Sequence, residues 1–117
     1  MAKDLLMRID FLLQQIDFAM KDVEGKTFEQ FAESDMQIRA TSFSLVQIGE
    51  QMNRIEEKLK PQYPDLPWYK ARGMRNLIVH MYDEVDAAQV YDTATRNLPF
   101  LKETFTEIRN ELSNGIN

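Results

Sequence analysis

Leu5-Leu6-Met7-Arg8-Ile9-Asp10-Phe11-Leu12-Leu13-Gln14-Gln15-Ile16-Asp17-Phe18-Ala19-Met20 is the stretch that decides the fold class. Its apolar residues Leu5, Leu6, Ile9, Leu12, Leu13, Ile16, Phe18 and Met20 recur at spacings of three and four, the period of an α-helix with one apolar side. The pattern predicts an amphipathic helix from Met1 to about Val23, stopped at Gly25. The next stretches keep that period. Thr27 with Gln30 three residues on has the form of a capping box, so a short helical turn is expected through Phe31 and Ala32. Ser34 or Asp35 then caps a long helix from Met36 to about Leu59, with Met36, Ala40, Phe43, Val46, Ile48, Met52, Ile55 and Leu59 as its stripe. Gly49 inside that helix costs about 1 kcal/mol relative to Ala, and either permits close approach of a neighbour or is simply tolerated.

Pro61, Pro64 and Pro67 forbid helix between Lys60 and Pro67, because proline lacks an N–H and restricts the residue before it. Pro67 suits the first turn of a further helix running from about Trp68 into the His80 region. A last helix is expected from Val85-Asp86, with Asp86 as its cap, to about Leu112, kinked or broken at Pro99 and ended by Asn114-Gly115. Neither strand alternation nor an internal repeat is present. The expected architecture is all-α: an antiparallel bundle of about four main helices plus a short helical turn, in a single domain over residues 1–117.

Composition narrows the function classes. The chain has 117 residues, 44% hydrophobic and 28% charged, as in an ordinary globular domain. No apolar run approaches the roughly 20 residues of a membrane-spanning helix, and Asp4, Arg8 and Asp10 interrupt the start too early for a signal-peptide apolar region. A cytoplasmic protein with no membrane partner is the expectation. With no cysteine, disulfides and thiolate metal sites are excluded, and the reading calls for no metal and no cofactor. The net charge of −5 argues against a protein that coats nucleic acid. The charge is uneven, however. Between Lys58 and His80 stand Lys58, Lys60, Lys70, Arg72 and Arg75, against the single acid Asp65. Such a segment is either an anion site or a solvated helix face.

That segment holds the only histidine: Arg72-Gly73-Met74-Arg75-Asn76-Leu77-Ile78-Val79-His80-Met81-Tyr82. On a helix Arg72, Asn76 and His80 line one face, and Arg75 borders it. Three polar or cationic groups beside Leu77, Ile78 and Met81 suit an anion pocket at the edge of a core; a polar outer face has the same spacing. Trp68 is expected as a core or interface anchor, although a base could stack on it. The methionines and phenylalanines fall mostly on helix stripes, as core and interface packing.

Arg75-Asn76-x-x-x-His80 resembles the signature of the HEPN superfamily, and its extension to Tyr82 resembles the form found in HepT-like toxins. Ile48-Gly49-Glu50, Leu66-Pro67-Trp68, Val85-Asp86 and Leu98-Pro99-Phe100-Leu101 follow in that group's order, so the resemblance spans about Leu5 to Ile108. It implies a HEPN-like bundle and a metal-independent endoribonuclease toxin working as a homodimer. It also implies a cognate minimal nucleotidyltransferase as antitoxin, which can adenylylate the motif tyrosine, here Tyr82. The residue types suit that chemistry. RNA supplies its own nucleophile in the 2′-hydroxyl. His80 is a general acid or base, histidine ordinarily titrating near pH 6.5, about where such a group is needed. Arg75 can hold phosphate bidentately and stabilise charge growing on its oxygens. Asn76 would orient His80 or touch phosphate, with Arg72 and Lys70 as RNA-positioning cations.

Helix geometry limits this picture. Five residues separate Arg75 from His80 by about 7.5 Å along the axis and about 140° around it. One straight helix cannot aim both at one phosphorus, so either the helix ends or distorts near the motif or a second subunit supplies matching groups. Two other functions remain open. One is a non-catalytic HEPN module that binds a nucleotide or protein, which the acidic net charge favours. The other is a structural bundle oligomerising through its Met and Phe stripes.

Overall fold

A computed structural model describes residues 2–69, 73 and 86–116 of the chain. Its elements are α1 (Ala2–Val23), α2 (Phe28–Ala32), α3 (Asp35–Leu59), α4 (Ala87–Asp92), a π-helical turn (Thr93–Asn97) and α5 (Leu98–Ile116). Trp68 and Tyr69 are helical as well. Among the described residues there is no strand, so the molecule is an all-α bundle, as expected. No helix among them is long and apolar enough to cross a membrane.

The predicted local signals are present. Gly25 terminates α1 with φ +70, a conformation that costs a residue without a Cβ little. Thr27 accepts from the Gln30 N–H at 3.2 Å, and the Gln30 side chain accepts from the Thr27 N–H at 2.9 Å. Ser34, rather than Asp35, caps α3, accepting from the Gln37 N–H at 3.2 Å. The caps satisfy backbone donors that a helix start leaves open.

Among the described residues, α1, α3 and α5 supply most of the core. Ile9, Leu12, Ile16 and Ala19 of α1 meet Leu45, Ile48, Met52, Ile55 and Leu59 of α3, and Leu98, Leu101, Phe105 and Ile108 of α5. Each large side chain fully withdrawn from water stabilises the fold by about 1.5–3 kcal/mol. Polar contacts set the alignment. The Thr41 hydroxyl of α3 donates to Asp22 of α1 at 2.9 Å, so these two helices run antiparallel from the α2 turn. Asp10 and Asp17 of α1 pair with Arg109 at 2.7 Å and Lys102 at 3.0 Å on α5, which makes that pair antiparallel too.

The structure corrects the α3 stripe. Met36 and Phe43 are exposed (73% and 61%), Ala40 is exposed and Val46 is half-buried. Residues 36, 40 and 43 obey helical spacing among themselves, but their face is rotated away from the one carrying Thr41, Leu45, Ile48, Met52, Ile55 and Leu59. Hydrophobicity alone could not tell the two apart. Gly49 lies in the buried set.

Pro99 disturbs the last helix upstream of itself rather than at its own position. The Leu98 N–H reaches back five residues to the Thr93 carbonyl, the mark of a π turn. A proline cannot bond to the carbonyl four residues back and its ring crowds that group, so the wider turn before Pro99 relieves the clash. The Thr93 and Thr95 hydroxyls donate to the Gln89 and Tyr91 carbonyls, both at 2.8 Å. Beyond the proline, α5 passes through Gly115 to Ile116 instead of stopping near Leu112.

Asp86 caps α4 through one carboxylate oxygen, which accepts from the Ala88 and Gln89 N–H groups at 3.0 and 3.2 Å. Asp86→Ala is expected to cost about 1 kcal/mol, and Asp86→Ser much less. Urea denaturation of the three proteins measures this; equal midpoints would mean that the cap contributes nothing.

Candidate active site

Arg72, Arg75, Asn76, His80 and Tyr82, with Lys70, lie outside the described residues. What the structure describes is how the chain is fixed on either side of them. On the entering side, the 60–67 segment folds back onto the end of α3. The Gln62 and Tyr63 N–H groups donate to the Leu59 carbonyl at 3.0 and 2.8 Å. The prolines explain why the chain turns here, since none can extend the α3 ladder.

Trp68 ends this segment as an anchor. It is 3% exposed, its indole N–H donates to the Tyr63 carbonyl at 3.0 Å, and its edge meets the Phe105 ring of α5 at 6.2 Å with an 83° interplanar angle. That T-shaped geometry sets the positive ring edge against a negative ring face. Burial makes Trp68 a core anchor and removes it as a stacking platform for a base. On the leaving side, Asp86 fixes the start of α4. The motif stretch is therefore bracketed by a buried indole seven residues before Arg75 and a capped helix six residues after His80.

Tyr63 secures the entering side from a second direction. Its phenol donates to the Glu111 carboxylate of α5. That hydrogen bond, then burial and the Glu111 charge, push the phenol up from its ordinary value of 10.0 to about 12. Because the folded state holds the proton more tightly than the unfolded chain, the contribution to stability is complete below pH 10 and disappears as pH rises through about 12. A phenolate absorbance titration should show a late-ionising tyrosine in wild type that is absent in Tyr63→Phe. Superimposable curves, after allowing for one fewer tyrosine, would refute the pairing.

Sequence reasoning placed Trp68 correctly but did not find its brace. Tyr63 and Glu111 stand 48 positions apart, and no local spacing links them. Phe105 was visible only as one of many apolar stripe residues.

Comparison with known proteins bears on the stretch between the two brackets. The pattern of the family described as "Ribonuclease HepT-like" matches residues 12–108, from the middle of α1 through most of α5. The chain belongs to the ribonuclease HepT-like family. The match includes all of the Arg72–Tyr82 stretch and both of its anchored ends.

Relatives of this HepT-like chain carry names of the same kind. One named "Probable ribonuclease HepT", from Thermococcus cleftensis, is 29% identical over 101 residues, covering 83% of this chain and 92% of its own. One named "Putative RNase TTE0752", from Caldanaerobacter subterraneus subsp. tengcongensis, is 28% identical over 100 residues, covering 86% of this chain and 89% of its own. A longer one from Methanocaldococcus jannaschii, named "Gamma-glutamylcyclotransferase and putative RNase MJ0434", is 25% identical over 117 residues, which is all of this chain and 53% of its own. No solved structure matches the chain. Ribonuclease chemistry is therefore the family's chemistry.

Proposed function

We propose that the chain is a metal-independent endoribonuclease toxin whose reacting groups are Arg75 and His80. The observation that carries this reading is the family match, whose bounds enclose the Arg72–Tyr82 stretch. In the proposed reaction, one His80 imidazole takes the proton of an RNA 2′-hydroxyl. That oxygen attacks the adjacent phosphorus, and the bond to the 5′-oxygen of the next nucleotide breaks. A second imidazole returns a proton to the departing oxygen. The products are a 2′,3′-cyclic phosphate and a 5′-hydroxyl end. Arg75 supplies fixed donors to the phosphoryl oxygens as charge builds on them, where such donors act most strongly. Asn76 and Arg72 position His80 and the phosphate.

A chain with one histidine that needs both an acid and a base gains from a two-fold axis that brings two copies together. We therefore place the site in a homodimer. The partner expected from the family resemblance is a cognate minimal nucleotidyltransferase antitoxin. Transfer of an adenylyl group from ATP to the Tyr82 hydroxyl, with release of pyrophosphate, would put negative charge and bulk beside the phosphate site and exclude RNA. Mass spectrometry after incubation with that partner and ATP tests this step, and an unmodified Tyr82 peptide would remove it.

The decisive measurement is end-group analysis of RNA incubated with purified protein in the presence of chelator. Cyclic-phosphate and 5′-hydroxyl ends are expected. A second reading, a non-catalytic module that binds a nucleotide or protein, is favoured by the net charge of −5, which repels long RNA. Intact RNA alongside tight partner binding would select it. A monomer in sedimentation with full activity would count against the composite site.

A further inference from the structure

The outward face shared by α1 and α3 carries more apolar surface than a solvated face needs. On α1, Met7, Phe11 and Phe18 sit opposite the core stripe and are 69%, 38% and 50% exposed. On α3 the rotated stripe adds Met36 and Phe43. Antiparallel packing, pinned by the Thr41–Asp22 hydrogen bond, sets Phe18 and Phe43 toward one end of this face. The same register sets Arg8 of α1 beside Arg54 and Lys58 of α3 toward the other end. These three cations are exposed and make no ion pair among the described residues. By contrast, the acids Asp10 and Asp17 on the far flank of α1 are already neutralised by Arg109 and Lys102. Between the helices, Gln15 and Gln51 are 6% and 9% exposed, and the buried Gln51 Oε1 has no hydrogen-bond partner among the described residues.

A run of exposed Phe and Met marks an interaction surface. Methionine adapts its shape to an incoming apolar side chain, and a two-helix seam is a common seat for a third helix. The charge is graded along the seam, with Phe18 and Phe43 toward one end and Arg8, Arg54 and Lys58 toward the other. We propose that the α1–α3 face docks an amphipathic helix of a partner protein, with its apolar side over Phe11, Phe18 and Phe43 and carboxylates against Arg8, Arg54 and Lys58. Protein fits this face better than RNA does, because the chain as a whole is acidic and repels a polyanion. None of these residues belongs to the Arg72–Tyr82 stretch, so docking and RNA cleavage can fail separately.

The test uses a fluorescently labelled helical peptide of leucine and glutamate, its lysine-for-glutamate counterpart and a labelled oligouridylate, with binding read by anisotropy. The full chain should bind the glutamate peptide and not the lysine one. Phe18→Glu with Phe43→Glu should weaken binding by at least about tenfold. Arg8→Glu with Arg54→Glu should reverse the preference in favour of the lysine peptide. All four positions are exposed, so the variants should keep wild-type circular dichroism. The reversed-charge variant also guards against loss by misfolding, because it must gain a ligand. No binding, or equal binding by every variant, overturns the proposal. Oligouridylate affinity lost with the phenylalanines would assign the face to RNA instead. A wild-type dimer that becomes monomeric in the Phe18→Glu, Phe43→Glu variant would assign it to a second copy.

Discussion

Replacing His80 by alanine is expected to slow RNA cleavage by about 10²–10⁴-fold, the usual worth of a positioned acid or base. Arg75→Ala should cost about 10²–10³-fold, as when a donor to a charged transition state is removed. Growth arrest on expression should disappear in both variants, and cyclic-phosphate ends with it. Arg75→Lys keeps the charge but loses the planar fork, so it should recover only part of the rate. Mixing chains goes further. If each site draws its acid and base from both copies, a mixed dimer of wild-type and His80→Ala chains holds one imidazole and is as slow as the His80→Ala protein. If each chain carries its own site, the same mixed dimer keeps one working site. Wild-type rates in either single variant would end the catalytic assignment.

The second large effect belongs to Trp68. Truncating a buried aromatic side chain to alanine costs about 3–5 kcal/mol, against a total stability of about 5–15 kcal/mol for a domain. Trp68→Ala also removes the donor to the Tyr63 carbonyl and the edge contact with Phe105. Trp68→Phe should lose less, since it keeps most of the apolar volume and gives up mainly the hydrogen bond. Urea unfolding followed by circular dichroism ranks the three proteins; fluorescence does not serve, because Trp68 is the only tryptophan. A loss below about 1 kcal/mol for Trp68→Ala would contradict its role as an anchor.

Much of the fold is legible locally. Gly25, the Thr27–Gln30 box and Asp86 each act within one helical turn, so residue type and spacing suffice to place them. The α3 stripe marks where that stops. Met36 and Phe43 are as apolar as Leu45 and Ile48, and only the position of α1 and α5 decides which set is covered. Pro99 announces a disturbance, but its direction follows from which carbonyl the ring would meet, four residues upstream. For the site, the Arg75–His80 spacing names residues without positioning them, because about 140° of rotation separates the two on a straight helix. Its supports, Trp68 on Phe105 and Tyr63 on Glu111, arise from tertiary pairing that spacing along the chain does not encode.

The ion pairs between α1 and α5 contribute little energy, since exposed pairs are worth about 0–1 kcal/mol each. Their placement carries something else. Asp10 and Asp17 are seven residues apart, and so are Lys102 and Arg109, on helices running in opposite directions. The two helices thus bear matching marks like the scales of a vernier. Sliding one by a turn moves every mark about 5.4 Å, beyond ion-pair reach. Both pairs coincide at one setting only, and that setting also brings Glu111 to Tyr63 and Phe105 to Trp68. A weak surface feature thereby specifies the alignment on which the entrance to the motif depends.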